Sequence, residues 1–594
     1  MKYNNNLKNK INFFFVLFFW FFSPDEVIRK AKGLAHTIII KFQMLQNLML
    51  FLDGAYFVGV DVGSGSVRAA LVNLEGHVLK SSVKELQTWK PRIDYYEQSS
   101  NEVWDNCLQV IKNVVTGVNA EDIKGIGFDA TCSLVALDKA GHPLSVSYSN
   151  NNEHNIIMWM DHRAHIEADF MNKTNHEVLK YVGGKVSLEM EMPKLLWLKK
   201  NFPQRWEKYG YFFDLPDFLT WKASGSFSRS LCSLVCKWNY ECSTEGKMGW
   251  NVKFLQEIGL EDLVDNSFRK IGNKVLIPGE PCGNGLTGDV AKILGLKMGT
   301  PVATSIIDAH AGGLGMIGAK ADGINSDMSS RLSLICGTST CHMAVSKKAV
   351  SVQGIWGPYF SAMVPNMWLN EAGQSASGML LDYVISSHPA GIELLKTNNT
   401  GEIRHHLRGL LVSMAKSQGV SNVSLLTKDL HIWPDFHGNR SPVADPTLKG
   451  AVVGLTINNS EDNLALKYLA TLQSLAYGTR HIIESLVTAG YDAFTSILIC
   501  GGLSKDPLFV QIQADSVGIP ILKPHEEESV LVGAATLGAC ASQHFANIDE
   551  AIKMMGGQAD KIQPEPKIKI FHDKKYRVFL RMLQDQLKYR TIMS

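Results

Sequence analysis

The chain has 594 residues, of which 45% are hydrophobic and 20% are charged, and its formal net charge is only +2. This length predicts two or three domains, and the composition is that of a globular enzyme, not of a disordered protein. The near-neutral charge, with no block of lysine or arginine, gives no basis for binding nucleic acid.

The ten cysteines show no disulfide framework, which favours a reducing compartment and a cytoplasmic location. The tightest group, Cys232, Cys236 and Cys242, lacks a fourth ligand and the paired spacing of a zinc site. Buried or surface thiols are therefore the simpler interpretation of that group.

Residues 1–54 have no place in the predicted fold. A lysine-containing start precedes an aromatic run at residues 13–22 that resembles the apolar region of a signal peptide. The run is shorter than the roughly 20 residues of a transmembrane helix, and no small-x-small cleavage site follows it. A disordered extension, or a start placed too early with Met44 or Met49 as the initiator, competes with a targeting or membrane segment. Elsewhere in the chain we expect no membrane association.

The predicted fold begins with a three-stranded antiparallel meander. Residues 56–62 form a buried strand, residues 67–74 its partner after a tight turn, and residues 77–86 the third strand. A helix at residues 100–115 and a strand at residues 123–129 follow. Since a meander followed by alternating helices and strands is typical of α/β proteins, we expect a mixed sheet.

The opening hairpin recurs in the second half of the chain. Residues 334–345 repeat the pattern of residues 60–71: an apolar strand, a turn of glycine, serine or threonine, and a second strand. This repeat predicts two lobes of related fold that each offer one hairpin to a shared cleft. Because Ile335 stands where the first copy has Asp61, only the first hairpin can hold a metal ion.

The second lobe is predicted to contain the longest helix of the chain, residues 460–489, with Ser460 as its N-cap and Gly490 as its stop. The other predicted elements are a buried strand at residues 497–500 and helices at residues 506–517, 535–543 and 574–593.

The end of the first strand has the residues of a phosphate site beside a metal ion. Asp61 is followed by a turn of glycines and serines, with a basic residue two positions further on: Gly63, Ser64, Gly65, Ser66 and Arg68. Glycines expose backbone N–H groups, the hydroxyls add donors, and the aspartate can reach Mg²⁺ through a water molecule. An ordinary glycine–serine hairpin turn has the same pattern, and the Walker A spacing is absent here.

Asp308 ends an apolar run and precedes small residues, which places its carboxylate at the mouth of a strand or helix beside room for a substrate. Phosphoryl transfer to a hydroxyl needs a carboxylate that accepts the proton and orients the nucleophile. A helix N-cap explains the same pattern equally well.

Trp159, Asp161 and Glu371 are residue types that bind sugars, since an aromatic face covers the carbon chain and carboxylates accept bonds from hydroxyls. A core aromatic and an exposed strand end are the alternatives for Trp159 and Glu371. The Gly501 and Gly502 pair, at a predicted strand end, leaves room for adenine before a helix N-terminus.

Taken in this order across residues 56–541, the motifs resemble the FGGY carbohydrate kinase family. Three stretches make the resemblance specific: residues 127–135 (GFDATCSLV), 433–442 (WPDFHGNRSP) and 500–511 (CGGLSKDPLFVQ). They look like the animal branch of that family, which sits beside the ribulokinases.

The resemblance implies an α/β fold of two actin-like (ribonuclease H-like) ATPase lobes, at residues 55–325 and 326–545, with a helical tail at residues 546–594. ATP and Mg²⁺ would bind in the central cleft beside a small-molecule sugar, and a homodimer is compatible with this fold. The implied reaction is phosphorylation of the terminal hydroxyl of a pentulose. We expect D-ribulose to become D-ribulose 5-phosphate, with xylulose, L-ribulose or ribitol left open.

The resemblance also carries roles to individual positions. Asp308 matches the catalytic base, Asp61 the metal-associated acid, and Trp159, Asp161 and Glu371 the sugar contacts. The residues that the resemblance implies for ATP binding are Gly63, Ser64, Gly65, Ser66, Arg68, Gly337, Thr338, Gly373, Gly501, Gly502 and Asp506. The family often has asparagine where this chain has Asp506, so an amide donor beside the adenine is missing.

Two rival functions remain: a non-catalytic sensor that retains the fold, and an actin- or chaperone-like ATPase. Asp61, Asp308 and both phosphate loops are intact, which argues against the sensor. The residues expected at the sugar site argue against the ATPase that works by motion.

Overall fold

The computed structural model describes residues 54–243 and 248–594. The aromatic run at residues 13–22, with the alternative starts Met44 and Met49, lies outside the described residues. Among the helices of the described part, none combines the length and the apolar character that crossing a bilayer requires.

Strands and helices are numbered separately in chain order. The strands are β1 Tyr56–Val62, β2 Ser66–Val72, β3 Val78–Glu85, β4 Glu97–Gln98, β5 Ile123–Ala130, β6 Leu134–Asp138, β7 Ile156–Ile157, β8 Tyr209–Asp214, β9 Arg229–Ser230, β10 Glu241–Cys242, β11 Met248–Gly249, β12 Val275–Leu276, β13 Ile306–Ile307, β14 Arg331–Cys336, β15 Thr340–Ser346, β16 Trp356–Phe360, β17 Trp368–Gln374, β18 His431–Trp433, β19 Ala451–Val453, β20 Ser496–Cys500, β21 Ile521–Pro524 and β22 Ala559–Ile562. The helices are α1 Ser100–Val115, α2 His165–Lys173, α3 Glu191–Asn201, α4 Pro203–Trp206, α5 Leu215–Ser224, α6 Leu231–Lys237, α7 Val252–Glu257, α8 Asp265–Phe268, α9 Gly288–Leu294, α10 Asp308–Ile317, α11 Gly378–Ser386, α12 Pro389–Leu394, α13 Thr400–Ser417, α14 Glu461–Ala489, α15 Pro507–Val517, α16 Ser529–Ala541, α17 Ile548–Met555 and α18 Lys569–Met593.

The first large sheet has the strand order β13-β5-β1-β2-β3. Strand β1 pairs antiparallel with β2 and parallel with β5, which confirms the predicted mixed sheet. Every residue of β1 is buried, because helices or other segments cover both faces of the sheet. The carboxyl ends of β1, β5 and β13 consequently meet at one edge.

The second large sheet has the order β16-β17-β15-β14-β20-β21-β22. Here β14 pairs antiparallel with β15 and parallel with β20, which is the relation of β1 to β2 and β5. The repeat predicted from residues 60–71 and 334–345 is therefore confirmed as a repeat of topology.

The boundaries of several elements can be compared with their predicted positions. Helix α1 matches the prediction, and in α14 the Ser460 side chain accepts a bond from Asn463 N before the helix stops at Gly490. Helices α16 and α18 both begin earlier than predicted. The four-stranded sheet β4-β7-β6-β8 had no counterpart in the prediction.

Helix α16 lies directly on the backbone of the first sheet. A Cβ atom added to Gly59 of β1 would overlap the Leu531 carbonyl oxygen, and one added to Gly127 of β5 would overlap the Ala534 carbonyl oxygen. Side chains normally separate a helix from the sheet that it covers, so glycine at these positions permits a much closer approach.

Helix α10 packs against α16 in the same way. A Cβ on Gly315 of α10 would overlap the Ser529 carbonyl oxygen, and one on Gly533 of α16 would overlap the Ala311 carbonyl oxygen. The two helices and the strands β1 and β5 thus form one block whose parts touch backbone to backbone.

We predict that Gly127→Ala destabilises the fold by about 1–3 kcal/mol or more, because the added methyl group has to displace helix α16 from the sheet. The midpoint of urea unfolding measures this loss. The matched control is Gly409→Ala in α13, where a Cβ meets no atom within 4 Å and alanine favours a helix. A midpoint that falls equally in both variants would contradict the proposed close approach.

Candidate active site

Three aspartates meet at the carboxyl edge of the first sheet. Asp61 of β1 lies beside Asp129 of β5 in the parallel register, and Asp308 begins α10 directly after β13. Asp129 is fully buried, and neither of its carboxylate oxygens has a hydrogen-bond partner within the described part of the chain. The edge is therefore strongly acidic.

The electrostatics of the cluster follow from this crowding. Burial, and then the Asp61 charge, raise the pKa of Asp129 well above its ordinary value. Removal from bulk water, and then the same Asp61 charge, raise the pKa of Asp308 to about 7. A carboxyl group with such a pKa exchanges protons near neutral pH.

Arg68 supplies the positive charge next to Asp61. Its Nε and Nη2 atoms lie 2.8 Å and 2.5 Å from Asp61 Oδ2, and its Nη1 donates to Glu528 Oε2 at 2.7 Å. Burial opposes the charge, but Asp61 and Glu528 outweigh it and raise the pKa of Arg68. Arg68 thereby ties β2 to the N-terminus of α16.

The first hairpin turn is closed by its own backbone and braced by Trp159. Gly63 N donates to Ser66 O at 3.0 Å, and Gly65 at the tip is exposed. The half-buried Trp159 donates from Nε1 to Ser64 Oγ at 2.8 Å. Trp159, which was predicted to bind the sugar, therefore contacts the turn that was predicted to bind phosphate.

The second hairpin turn presents Gly337 and Thr338, both exposed, between β14 and β15. Gly337 N donates to Ser339 O at 2.8 Å, and Thr338 O accepts from Ser377 N at the start of α11. This turn has no carboxylate like Asp61, in line with the Ile335 substitution.

The Gly501 and Gly502 pair lies against the second hairpin. Gly501 has φ +89°, and a Cβ there would be 2.6 Å from Cys336 O at the end of β14. A Cβ on Gly502 would meet no atom within 4 Å, so this residue borders open space. Only glycine allows the turn both its backbone conformation and its approach to β14.

Asp506 is fully engaged within the protein. Its Oδ1 caps α15 by accepting from Leu508 N, and its Oδ2 accepts from the Tyr468 hydroxyl at 2.5 Å. Arg408 Nη1 lies 3.0 Å from the same Oδ2. The charge that distinguishes this aspartate from asparagine is thus neutralised by Arg408.

Glu371 is the centre of a second charged group. It is 4% exposed on β17, with Lys237 Nζ 3.5 Å from its Oε1 and His310 Nε2 3.7 Å from its Oε2. Burial alone would raise the pKa of Glu371, but Lys237, His310 and Arg440 together lower it. The charge of Lys237 lowers the pKa of Asp308 and that of Glu371 raises it, so this charged group adjoins the aspartate cluster.

Arg440 and Glu189 border the same group. Arg440 Nη2 donates to Glu189 Oε1 at 2.7 Å, and Gly373 leaves room for this arginine, since a Cβ there would be 2.7 Å from Arg440 Cδ. Glu189 also lies 3.9 Å from Lys237 Nζ. The two acids and the two bases therefore form one connected charged group.

Asp161 is placed differently. Its carboxylate is buried and accepts bonds from Tyr96 N and from the Arg163 guanidinium, which also donates to Glu97. In this arrangement Asp161 holds the segment that carries Trp159, and its oxygens are already paired.

The prediction named no role for Asp129, Lys237 or Arg440. The parallel register of β1 and β5 could have shown Asp129 beside Asp61, since both strands were predicted. Lys237 stands at the end of a short helix with no recognisable motif. Arg440 belongs to the stretch 433–442, whose resemblance was noted without a function.

The aspartate cluster fits a divalent cation. Carboxylate oxygens are the ligands that hard cations prefer, and the unpartnered oxygens of Asp129 face the Asp61 carboxylate. Asp61 and Asp129 are thus the residues that would hold such an ion.

The chain matches two family models, the FGGY family of carbohydrate kinases N-terminal domain at residues 56–315 and the C-terminal domain at residues 332–542. It belongs to the FGGY family of carbohydrate kinases. Its reaction class is therefore phosphotransfer to an alcohol group, which confirms the predicted family and enzyme class.

Individual proteins agree with this membership. The chain is 52% identical over 550 residues to an FGGY carbohydrate kinase domain-containing protein of Xenopus laevis, covering 91% of this chain and 98% of that protein. It is 37% identical over 541 residues to a D-ribulokinase of Saccharomyces cerevisiae, covering 86% of this chain and 75% of that protein. A crystal structure of a xylulose kinase from Rhodospirillum rubrum superposes with a TM-score of 0.72 at 18% identity, covering 90% of this chain and 99% of that one. The FGGY kinase therefore has the predicted two-domain, actin-like ATPase fold.

We predict that Asp129→Asn stabilises the metal-free kinase, because it removes a buried carboxylate that has no donor. The folded-state pKa of Asp129 is raised above its ordinary value near 4, so its cost appears as pH rises through and above that value. The gain in Tm, about 1 °C or more, should consequently be larger at pH 8 than at pH 5, measured with a chelator present.

Asp445→Asn is the control for that measurement. Burial at Asp445 is outweighed by bonds from the Thr447 hydroxyl, Thr447 N and Arg590, which lower its pKa. Its stabilising effect is present in full well above pH 4, so this variant should change Tm equally at pH 5 and pH 8. An Asp129→Asn gain that does not grow with pH would contradict the buried charge.

Proposed function

We propose that this kinase transfers the γ-phosphate of Mg-ATP to the terminal hydroxyl of a pentulose, converting D-ribulose to D-ribulose 5-phosphate. The observation that carries the choice of sugar is the relative named as a D-ribulokinase, which aligns with most of this chain. The cytoplasm is the proposed location, and the proposed lobes are residues 55–325 and 326–545, with a helical tail at residues 546–594.

Asp308 is the proposed catalytic base. The residue is half-buried at the start of α10, and a pKa of about 7 suits a group that accepts a proton from a hydroxyl at neutral pH. The hydroxyl oxygen would attack the γ-phosphorus in line, without a covalent enzyme intermediate. Positioning and electrostatic stabilisation would supply most of the catalysis.

The proposed phosphate site consists of the two hairpin turns, with Gly63 to Ser66 and Arg68 on one side and Gly337, Thr338 and Gly373 on the other. Asp61 and Asp129 would hold Mg²⁺, which neutralises charge on the phosphates when bound. Gly501 and Gly502 border the proposed adenine site, and Asp506 shapes it as the cap of α15.

The proposed sugar site lies beside Asp308. Glu371 would accept bonds from sugar hydroxyls, with Lys237 and the Arg440–Glu189 pair keeping its carboxylate charged and in place. Trp159 would cover the carbon chain, and Asp161 would act through Arg163 on the segment that positions this ring. Buried polar groups of this kind discriminate among sugars, because a wrong hydroxyl leaves one of them unpaired.

The test is ADP release by the purified full chain with Mg-ATP and a panel of D-ribulose, L-ribulose, xylulose and ribitol. We expect D-ribulose to give the highest kcat/KM. Asp308→Asn should lower kcat about 100-fold or more, since the proton acceptor is lost. Asp289→Asn, which removes an exposed acid from the first turn of α9, is the matched control and should leave kcat unchanged.

ADP release at the same rate with and without sugar would identify a simple ATPase, and ATP binding without ADP release would identify the non-catalytic sensor. Either result would contradict the proposed sugar phosphorylation. A clear preference for another member of the panel would correct the sugar alone.

We further predict that Lys237→Met raises KM for the sugar at least about 10-fold, because Glu371 and Glu189 lose the cation between them. KM for ATP should change little, since Lys237 contacts neither hairpin turn. Initial rates with each substrate varied in turn separate the two constants. An equal rise in both would place Lys237 outside the sugar site.

A further inference from the structure

We propose that Cys232, Cys236 and His310 form a site for a soft divalent metal ion, zinc foremost, in which a water molecule is the fourth ligand. The site is separate from the aspartate cluster, and neither the family nor the proposed phosphoryl transfer requires it.

The three nitrogen and sulfur ligands already converge. The Sγ atoms of Cys232 and Cys236 and a ring nitrogen of His310 all lie within 4.8 Å of one another, and all three side chains are fully buried. Cys232 and Cys236 are one helical turn apart on α6, so both thiols face the same side. His310 reaches them from the first turn of α10.

The distances match tetrahedral coordination. His310 Nε2 lies 3.5 Å from Cys236 Sγ. With Zn–S about 2.3 Å and Zn–N about 2.0 Å, a tetrahedral angle places sulfur and nitrogen ligands about 3.5 Å apart. The three side chains therefore need little movement to bind one ion.

A water molecule is the proposed fourth ligand. Glu371 approaches only His310 of these three residues, with its Oε2 3.7 Å from His310 Nε2, and it lies outside the cluster of converging ligand atoms. Glu371 therefore keeps the role proposed for it in the sugar site.

The charges balance when the ion is bound, because two thiolates carry two negative charges and the divalent ion carries two positive charges. The neutral imidazole of His310 adds no charge. Since thiolates are the metal ligands, binding must release the two thiol protons.

The ligand chemistry selects the metal. Thiolates and imidazole bind zinc and its neighbours, whereas Mg²⁺ prefers the oxygen ligands of Asp61 and Asp129. The two sites can consequently be occupied by different ions at the same time.

The test is titration of the metal-free, reduced full chain with CoCl₂, followed by ZnCl₂. We expect one equivalent of Co²⁺ to produce thiolate-to-cobalt absorption, and one equivalent of Zn²⁺ to abolish it while excess Mg²⁺ does not. Cys232→Ser and Cys236→Ser should lose the absorption. Cys242→Ser is the matched control, because this buried thiol is close in sequence and lies outside the cluster, and it should retain the absorption.

A measurement on the unaltered chain covers variants that fail to fold. X-ray absorption at the zinc edge of the one-to-one complex should show two sulfur ligands at about 2.3 Å and two nitrogen or oxygen ligands at about 2.0 Å. Cobalt absorption that survives in both serine variants, no thiolate absorption in the unaltered chain, or a zinc shell without sulfur would each overturn the proposal.

Discussion

The active site depends on the direct contact of helix α16 with the backbone of β1 and β5. Glycines at positions 59 and 127 remove the side chains that would otherwise separate helix and sheet. Because α10 packs on α16 through Gly315 and Gly533, the same contact fixes where α10 begins. The distance between Asp308 and the aspartates of the sheet is therefore set by backbone packing, which is stiffer than any contact between flexible side chains.

This rigidity lets the protein keep an unfavourable arrangement of charge. Three carboxylates at one sheet edge repel one another, and Arg68 compensates only part of that charge. A flexible site would relax by turning the acids toward water. Here the strands and the helix hold them together, and the free energy of that repulsion is available to bind a cation.

The sequence was sufficient for the parts of the site that are local. The turn after Asp61, the turn at Gly337 and the Gly501–Gly502 pair are each short patterns of glycine and hydroxyl residues next to an apolar strand, and the structure places them at strand ends. The topological repeat could be predicted for the same reason, since each copy is one continuous hairpin.

What the sequence could not supply is proximity between distant segments. Nothing in the stretch around Lys237 indicates that Glu371 is its partner. The sequence around Cys232 and Cys236 contains no further ligand for the same reason, because His310 comes from another helix. Asp161 is a residue type that suits sugar binding, but its carboxylate is paired with Arg163, which is only two positions away. A motif gives the residue types and does not show this pairing. Such pairings follow from tertiary packing, which is not periodic along the chain.

The position of α16 has a consequence for biosynthesis. Strands β1 and β5 leave the ribosome early, whereas the helix that covers them is among the last segments to be made. Until then one face of the first sheet, with its bare glycine backbone, has no native cover. The first sheet therefore cannot be completely buried until α16 has been synthesised, so its packing depends on contacts that are far apart in sequence.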